Sequence, residues 1–314
     1  MQVFGLLSRT MMLPAAGFGL AIAAAQAAAP PAQPASDPIV VEGIRLPEKA
    51  ARDRATQFVR STGVAAGETP VARWVDPVCP QVLGLETVGE RAAEARIRAI
   101  AAEAGIEVAP ENCRPNIIVS FTPDPASVAR AIEKREPWRL ARLSPAARNS
   151  MLTGSAPVRW LYSTEVRGRH GDSQNVAGGA TQTIPATHAG SGAGSSLGGD
   201  VPSLMHYDNS LLSTLTNRVL TSALVIIDTD QAMGKKLDTL AAYSALVALA
   251  EIRNVDARPE GSMLSLFETP APPRDLTAQD KAFLRALYRL PLDRQAMLHR
   301  GLLVHDISEA ITLE

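Results

Sequence analysis

The sequence predicts an α+β fold: a single domain with a central, mostly antiparallel sheet and helices packed mainly on one side. Three observations predict it. Strand-like and helix-like stretches are mixed, in the order β, β, α, β, α, β, loop, β, α, α, α. No internal repeat is visible. The C-terminal end is helical throughout, which segregates helices from most of the strands.

The chain opens on a segment that reads as an export signal. Arg9 is the only charge before Asp37, Met11 to Ala25 is an apolar run, and Ala25-Gln26-Ala27 is a small-x-small cleavage site. Residues 1–27 are therefore expected to be a signal peptide. Pro14 and the alanine-rich character argue against a membrane anchor, which needs about 20 apolar residues. Residues 28–36, "AAPPAQPAS", form a Pro/Ala linker with nothing to bury. Residues 37–314 then make the domain.

Within that domain "IVVEGIRL" (39–46) and "VARWVDPV" (71–78) are candidate strands. Residues 86–105 form an amphipathic helix with Val88, Ala92, Ala95, Ile97, Ile100 and Ala104 near helical spacing, ended by Gly105. "NIIVSF" (116–121) is a buried-type strand, Pro125 and Ser127 open a helix, and "VRWLYSTEV" (158–166) alternates as a strand does. Residues 168–202 hold almost no large apolar side chain, so they cannot repay their ordering entropy and are expected to be a flexible insertion. "SALVIIDTD" (222–230) is a buried strand, and 235–252 a helix apolar on every face. After the apolar "MLSLFE" (263–268), Thr277 and Asp280 make a capping-box-like helix start, and Pro291 ends that helix. A last helix carries Met297, Gly301, Val304, Ile307 and Ile311 on one stripe.

The formal charge of −1 makes no strong field, so nucleic acid and anionic membranes are poor partners, and no membrane attachment is expected once the signal is cleaved. Export places the protein in the periplasm or outside the cell. There its two cysteines, Cys79 and Cys113, are expected to pair, tying the ends of a strand–helix–strand unit. Two Cys with no nearby His make a poor metal site.

The familiar catalytic patterns are absent. Ser191 and Ser195 lie in the insertion without the strand–turn–helix frame of a nucleophile elbow. "GSGAGSS" lacks the Lys and flanking elements of a phosphate loop. The five histidines, His170, His188, His206, His299 and His305, show no i, i+3 or i, i+4 pair that would put two imidazoles on one helix face. No metal and no cofactor is expected. Asp228 and Asp230, at the end of a strand, are the candidate catalytic acids, although an Asp there is also an ordinary turn former.

The tracts "VARWVDPVCP" and "CRPNIIVSF", then "GKKLDTLAAYSALVALAEI" and "GSMLSLFETPAPPRDLTAQDKAFLRALYRL", resemble in order and spacing an uncharacterised family of exported Gram-negative bacterial proteins. The resemblance covers roughly residues 70–310 outside the insertion. A more distant similarity, to secreted proteins laid out like zinc-dependent proteases, implies a degenerate zincin-like scaffold. The helix that carries His-Glu-x-x-His in such enzymes would then place Tyr243, Ser244 and Val247 at the corresponding positions. None suits the task. Val247 cannot bind zinc, Tyr243 is a poor ligand, and Ser244 is no general base near neutral pH. The stretch "AAYSALVALA" (241–250) contains no His, Asp, Glu or Cys in any frame. Leu240, Tyr243, Leu246, Val247 and Leu249 are instead expected to be core residues.

The sequence thus points to a non-catalytic exported protein that binds an envelope or periplasmic protein partner. The rival is a periplasmic hydrolase using loop carboxylates such as Asp228 and Asp230. A third reading makes the protein a subunit of an envelope complex, docked through 168–202.

Overall fold

A computed structural model describes residues 46–168, 214, 216–254, 256 and 258–312. The expected signal peptide, the linker, the strand at 39–46 up to residue 45, and the insertion beyond Gly168 lie outside the described residues.

The first described element was not expected. Helix α1, Glu48–Thr62, buries Ala51, Ala55, Phe58, Val59 and Thr62, which fall at helical spacing, and ends at Gly63 in the left-handed region. Strand β1 is only Ala72–Arg73, and the expected 71–78 strand is broken by a turn before β2, Pro80–Leu83. Helix α2, Thr87–Glu103, leads to β3, Ile117–Thr122. Its core face is Ala93, Ile97, Ile100 and Ala101, while Val88, assigned to that stripe from the sequence, is 81% exposed. Three helices follow, each with Pro in its first turn: α3 (Pro125–Arg135), α4 (Pro137–Ala141) and α5 (Pro145–Thr153). Asp124 and Ser144 cap α3 and α5 by accepting from the Ser127 and Ala147 N–H groups. Strands β4 (Val158–Gly168) and β5 (Thr216–Asp228) complete the sheet, and α6 (Leu237–Leu249), a 3-10 turn at Met263–Ser265, α7 (Ala278–Arg289) and α8 (Ala296–Thr312) complete the chain.

The sheet corrects the expected fold class. Strands β1, β5, β3 and β2 all run parallel, and β4 alone pairs antiparallel with β5. The architecture is therefore α/β-like, not an α+β domain with a mostly antiparallel sheet. The helices that separate β2, β3 and β5 in sequence let the chain return to start each strand at the same end. The chain leaves β4 at Gly168 and re-enters β5 at Thr216, directly opposite, so that pair alone forms antiparallel. β5 shows the mark of a central strand in such a sheet: Val225, Ile226 and Ile227 are all buried, an unbroken run rather than an alternation.

Helices cover both faces, a second departure from the one-sided packing expected. On one face Ile117, Val119, Phe121, Trp160, Val225 and Ile227 join the main core with α1, α2, α6, α7 and α8. On the other, Leu161, Leu224 and Ile226 meet Ala129, Leu140 and Met151 from α3, α4 and α5. Gly84, where β2 ends, has φ 91°, and a Cβ there would lie 2.0 Å from the Phe121 carbonyl oxygen. Only glycine lets β2 leave the sheet so close to β3.

Cys79 and Cys113 are joined, as the sequence led us to expect; they bracket β2 and α2, and β3 begins just after Cys113. Beside the disulfide the Asn116 Oδ1 accepts from the Cys79 N–H at 2.7 Å, and its Nδ2 donates to the Pro77 carbonyl. The capping box of α7 is also present. Asp280 is fully buried and accepts from the Ser262 hydroxyl (2.5 Å) and the Met263 N–H (2.7 Å), which ties the 3-10 turn to α7. Burial raises its pKa, opposed by these bonds.

The stripe expected on α8 is rotated. Ala296, His299, Leu303, Ile307 and Ile311 face the core, and Met297 is 66% exposed. His299 can be buried because both ring nitrogens are used: Nδ1 accepts from the Val71 N–H (3.1 Å), and Nε2 donates to the Pro291 carbonyl (2.9 Å). This is the neutral ring, and burial lowers its pKa. Asp293, Arg294 and Arg73 are the charged groups that act on it.

Replacing both cysteines by alanine is expected to lower unfolding free energy by about 3.5 kcal/mol through the released 34-residue loop, measured by urea titration of the oxidised protein and the variant. A pH dependence also follows from His299. Its folded pKa lies below the unfolded value of about 6.5, so its contribution is full above 6.5 and lost as pH falls through the folded pKa. The urea midpoint should fall between pH 7.5 and pH 5, and His299→Gln should flatten that fall; Asp76 and Asp275, whose pKa values are lowered by ion pairs with Arg167 and Arg96, act only below about pH 4.

Candidate functional site

Helix α6 is the first place to look, and it is packing. Every residue from Thr239 to Leu249 is buried, including Leu240, Tyr243, Leu246, Val247 and Leu249. The alanines let β5, α2 and α7 approach closely. Of the three positions where a zinc helix would carry its ligands and base, Ser244 donates to the Leu240 carbonyl of its own helix at 2.8 Å, a purely local bond. Tyr243 sits edge-on to Phe267 with ring centroids 5.8 Å apart, and burial pushes its pKa up to about 12. Val247 has no exposure at all. Among the described residues, no three His, Cys, Asp or Glu side chains come together to hold a metal ion.

A buried helix has a cost at its carboxyl end, where the last carbonyls lack intrahelical partners. Here three aromatic side chains from three different places satisfy them. The Tyr162 hydroxyl donates to the Val247 carbonyl (2.7 Å), the Trp74 indole to Ala248 (2.9 Å) and the Tyr288 hydroxyl to Leu249 (2.6 Å). A fourth, the Trp160 indole, donates to Ile252 just beyond (2.8 Å). Burial raises the pKa of Tyr162 and of Tyr288, so both phenols remain donors at any physiological pH.

The candidate acids sit in the turn at the end of β5. Asp228 Oδ1 accepts from the Asp230 and Gln231 N–H groups, and Oδ2 accepts from the Gln231 side chain. That is a turn closed by its first residue. Asp230 is exposed beyond it. Of the histidines, His299 is structural, His305 is exposed on α8, and the other three lie outside the described residues.

The site the sequence did not reveal lies along β4. Among the described residues β4 pairs only with β5, so its far side is an open sheet edge. A groove of about 360 Å³ follows that edge, between α4 and α5 on one side and residues 251–253 on the other. Its floor is Val158, Leu161, Met151 and Ile252, all buried. Its walls carry five guanidinium groups. Arg218 grips Glu251 with two bonds of 2.8 Å, and Arg253 adds a third at 2.9 Å. Arg139 pairs with Glu136 (3.0 Å) and donates to the Ser222 hydroxyl. Arg159, only 9% exposed, donates to the Met151 (3.0 Å) and Gly154 carbonyls and so finishes α5. Burial lowers the Arg159 pKa, opposed by the charges of Asp228 and Asp124. Arg142 is exposed and donates to the Thr164 carbonyl at 3.2 Å.

One signal for this groove was present in the sequence. Arg159 sits inside an otherwise apolar strand start, "VRWLY", where a charge needs a reason. The other four arginines lie between 17 and 94 residues away along the chain, and their convergence is visible only in the fold. No protein-family model, no curated protein and no solved structure matches the chain.

Val247→Asp is expected to unfold the protein, because an unpaired carboxylate in this core costs several kcal/mol against a total of roughly 5–15. Ser244→Ala should change stability by about 1 kcal/mol or less, since only a local bond is lost. Tyr288→Phe should cost more, about 1–3 kcal/mol, because it strands the Leu249 carbonyl. Thermal unfolding of the three variants orders them, and a Val247→Asp protein with an unchanged midpoint would remove that residue from the core.

Proposed function

We propose that this is an exported, non-catalytic binding protein of the Gram-negative envelope, periplasmic or secreted, built on a degenerate zincin-like scaffold. The observation that carries this reading is α6. The helix occupies the position in the chain where the resemblance places a metal-binding helix, and its Tyr243, Ser244 and Val247 are committed to packing. Supporting the location, the Cys79–Cys113 bond suits an oxidising compartment. Supporting a binding role, a groove with an apolar floor borders a strand edge left open among the described residues, rather than a cluster of acids and bases. An envelope or periplasmic protein partner fits such a role. The rival hydrolase reading loses its support, because Asp228 spends both oxygens on its own turn.

The test is elemental analysis after dialysis against excess zinc and removal of free metal. The expected result is far less than one zinc per chain. One zinc per chain, retained through gel filtration, would overturn the degenerate-scaffold reading.

A further inference from the structure

We propose that the groove along β4 binds a small amphiphilic anion: a carboxylate or phosphate group held by the arginine wall, with an aliphatic or aromatic body lying on the apolar floor. The inference rests on the binding reading above and names its ligand class.

Charge is the first support. Five guanidinium groups line the groove: Arg139, Arg142, Arg159, Arg218 and Arg253. Two carboxylates answer them at ion-pair distance, Glu251 inside the groove and Glu136 at its margin. Counting only carboxylates at ion-pair distance, five cations less two anions leaves three positive charges. Neither Arg142 nor Arg159 has a carboxylate within 4.0 Å among the described residues; both donate to backbone carbonyls instead. Asp228 and Asp124 act on Arg159 only from beyond ion-pair distance, and a buried cation with no carboxylate in contact is costly; an incoming oxyanion relieves that cost where water and salt screen least.

The two arginines divide the work by their anchoring. Arg159 is nine-tenths buried and held at both ends of its guanidinium by the end of α5, so it contributes a fixed field. Arg142 stands at the open side on one bond of 3.2 Å, free to exchange the Thr164 carbonyl for a charged acceptor. A charge-assisted bond to an oxyanion is about twice as strong as a neutral one, so the exchange is downhill.

Shape is the second support. A volume of about 360 Å³ suits a compact organic ligand. Val158, Leu161, Met151 and Ile252 leave a floor with no charge of its own. A bare inorganic ion would gain nothing from that floor, and a neutral amphiphile nothing from the wall.

The experiment is calorimetric titration of the full chain with octanoate and with octyl phosphate, which separate the carboxylate from the phosphate source. Octanol, octyltrimethylammonium and inorganic phosphate serve as controls. Saturable binding of either octyl anion, weakened as sodium chloride is raised and absent for octanol and the cation, is the expected result. Arg142→Glu, on an exposed side chain, should weaken it at least about tenfold, whereas Arg300→Glu, between α1 and α8, should not. No binding of either anion, equal binding of the cation, or affinity unchanged in Arg142→Glu would each overturn the proposal. So would saturable binding of an extended acidic peptide with none of the octyl anions, which would make the strand edge the site. The zinc measurement is independent of all these outcomes, so a failed titration leaves the non-catalytic reading standing.

Discussion

The carbonyl end of α6 is the constraint on which much of the molecule depends. A helix packed into a protein interior must find partners for its last carbonyls, or lose a large part of what its burial gains. Here Tyr162 reaches it from the edge strand, Trp74 from the turn after β1, and Tyr288 from the last turn of α7. The chain has only three tryptophans and four tyrosines, and two of each are spent within residues 247–252. Those bonds fix the distance between α6 and β4 on one side and between α6 and α7 on another. The groove inherits its far wall from this arrangement, because Glu251 and Ile252 leave α6 where Trp160 and Tyr162 hold the backbone.

The same physics explains why the arginines near the groove form one connected system. Glu251 is almost wholly buried and survives there only because Arg218 from β5 and Arg253 from its own segment both hold it. Arg218 and Arg253 also donate to the Pro70 carbonyl, so the loop before β1 is bound into the same knot. Three separate pieces of chain are thus fixed around one carboxylate. Its removal would leave two half-buried cations facing each other, a larger penalty than the loss of one ion pair.

What could be read from the sequence was whatever obeys a local rule. The disulfide, the Thr277–Asp280 box, the helix start at Pro125 and the all-round apolarity of α6 each follow from neighbours a few residues apart or from a residue count. Strand direction does not. "ALVIID" signals a strand buried on both faces, and that continuous run is itself the mark of a parallel sheet, but the polar insertion beside it invites a hairpin reading. One hairpin is indeed there, and it is the exception in its sheet. Helix α1 is hard to read from the sequence because only Phe58 and Val59 on its core face are large and apolar; the rest of the stripe is Ala51, Ala55 and Thr62. On α8 the sequence pattern favoured Met297 over His299, because a histidine with both nitrogens satisfied behaves as a core residue only once its partners, Val71 and Pro291, are in place. The groove depends on arginines gathered from α4, β4, β5 and the segment after α6, and no periodicity connects them.

The β4–β5 pairing has a consequence for how this protein can change over time. Gly168 and Thr216 face each other in register at the open end of the hairpin, and the ladder runs unbroken inward from them to the bulge at Ser163 and Thr164. The two ends of whatever joins them are therefore already clamped together by the sheet. Closing a longer segment between fixed ends costs only about 0.6 kcal/mol per doubling of its length. This is a splice point: a stretch of chain, or a whole foreign module with adjacent termini, can be lengthened, shortened or exchanged there while the core on either face keeps its contacts.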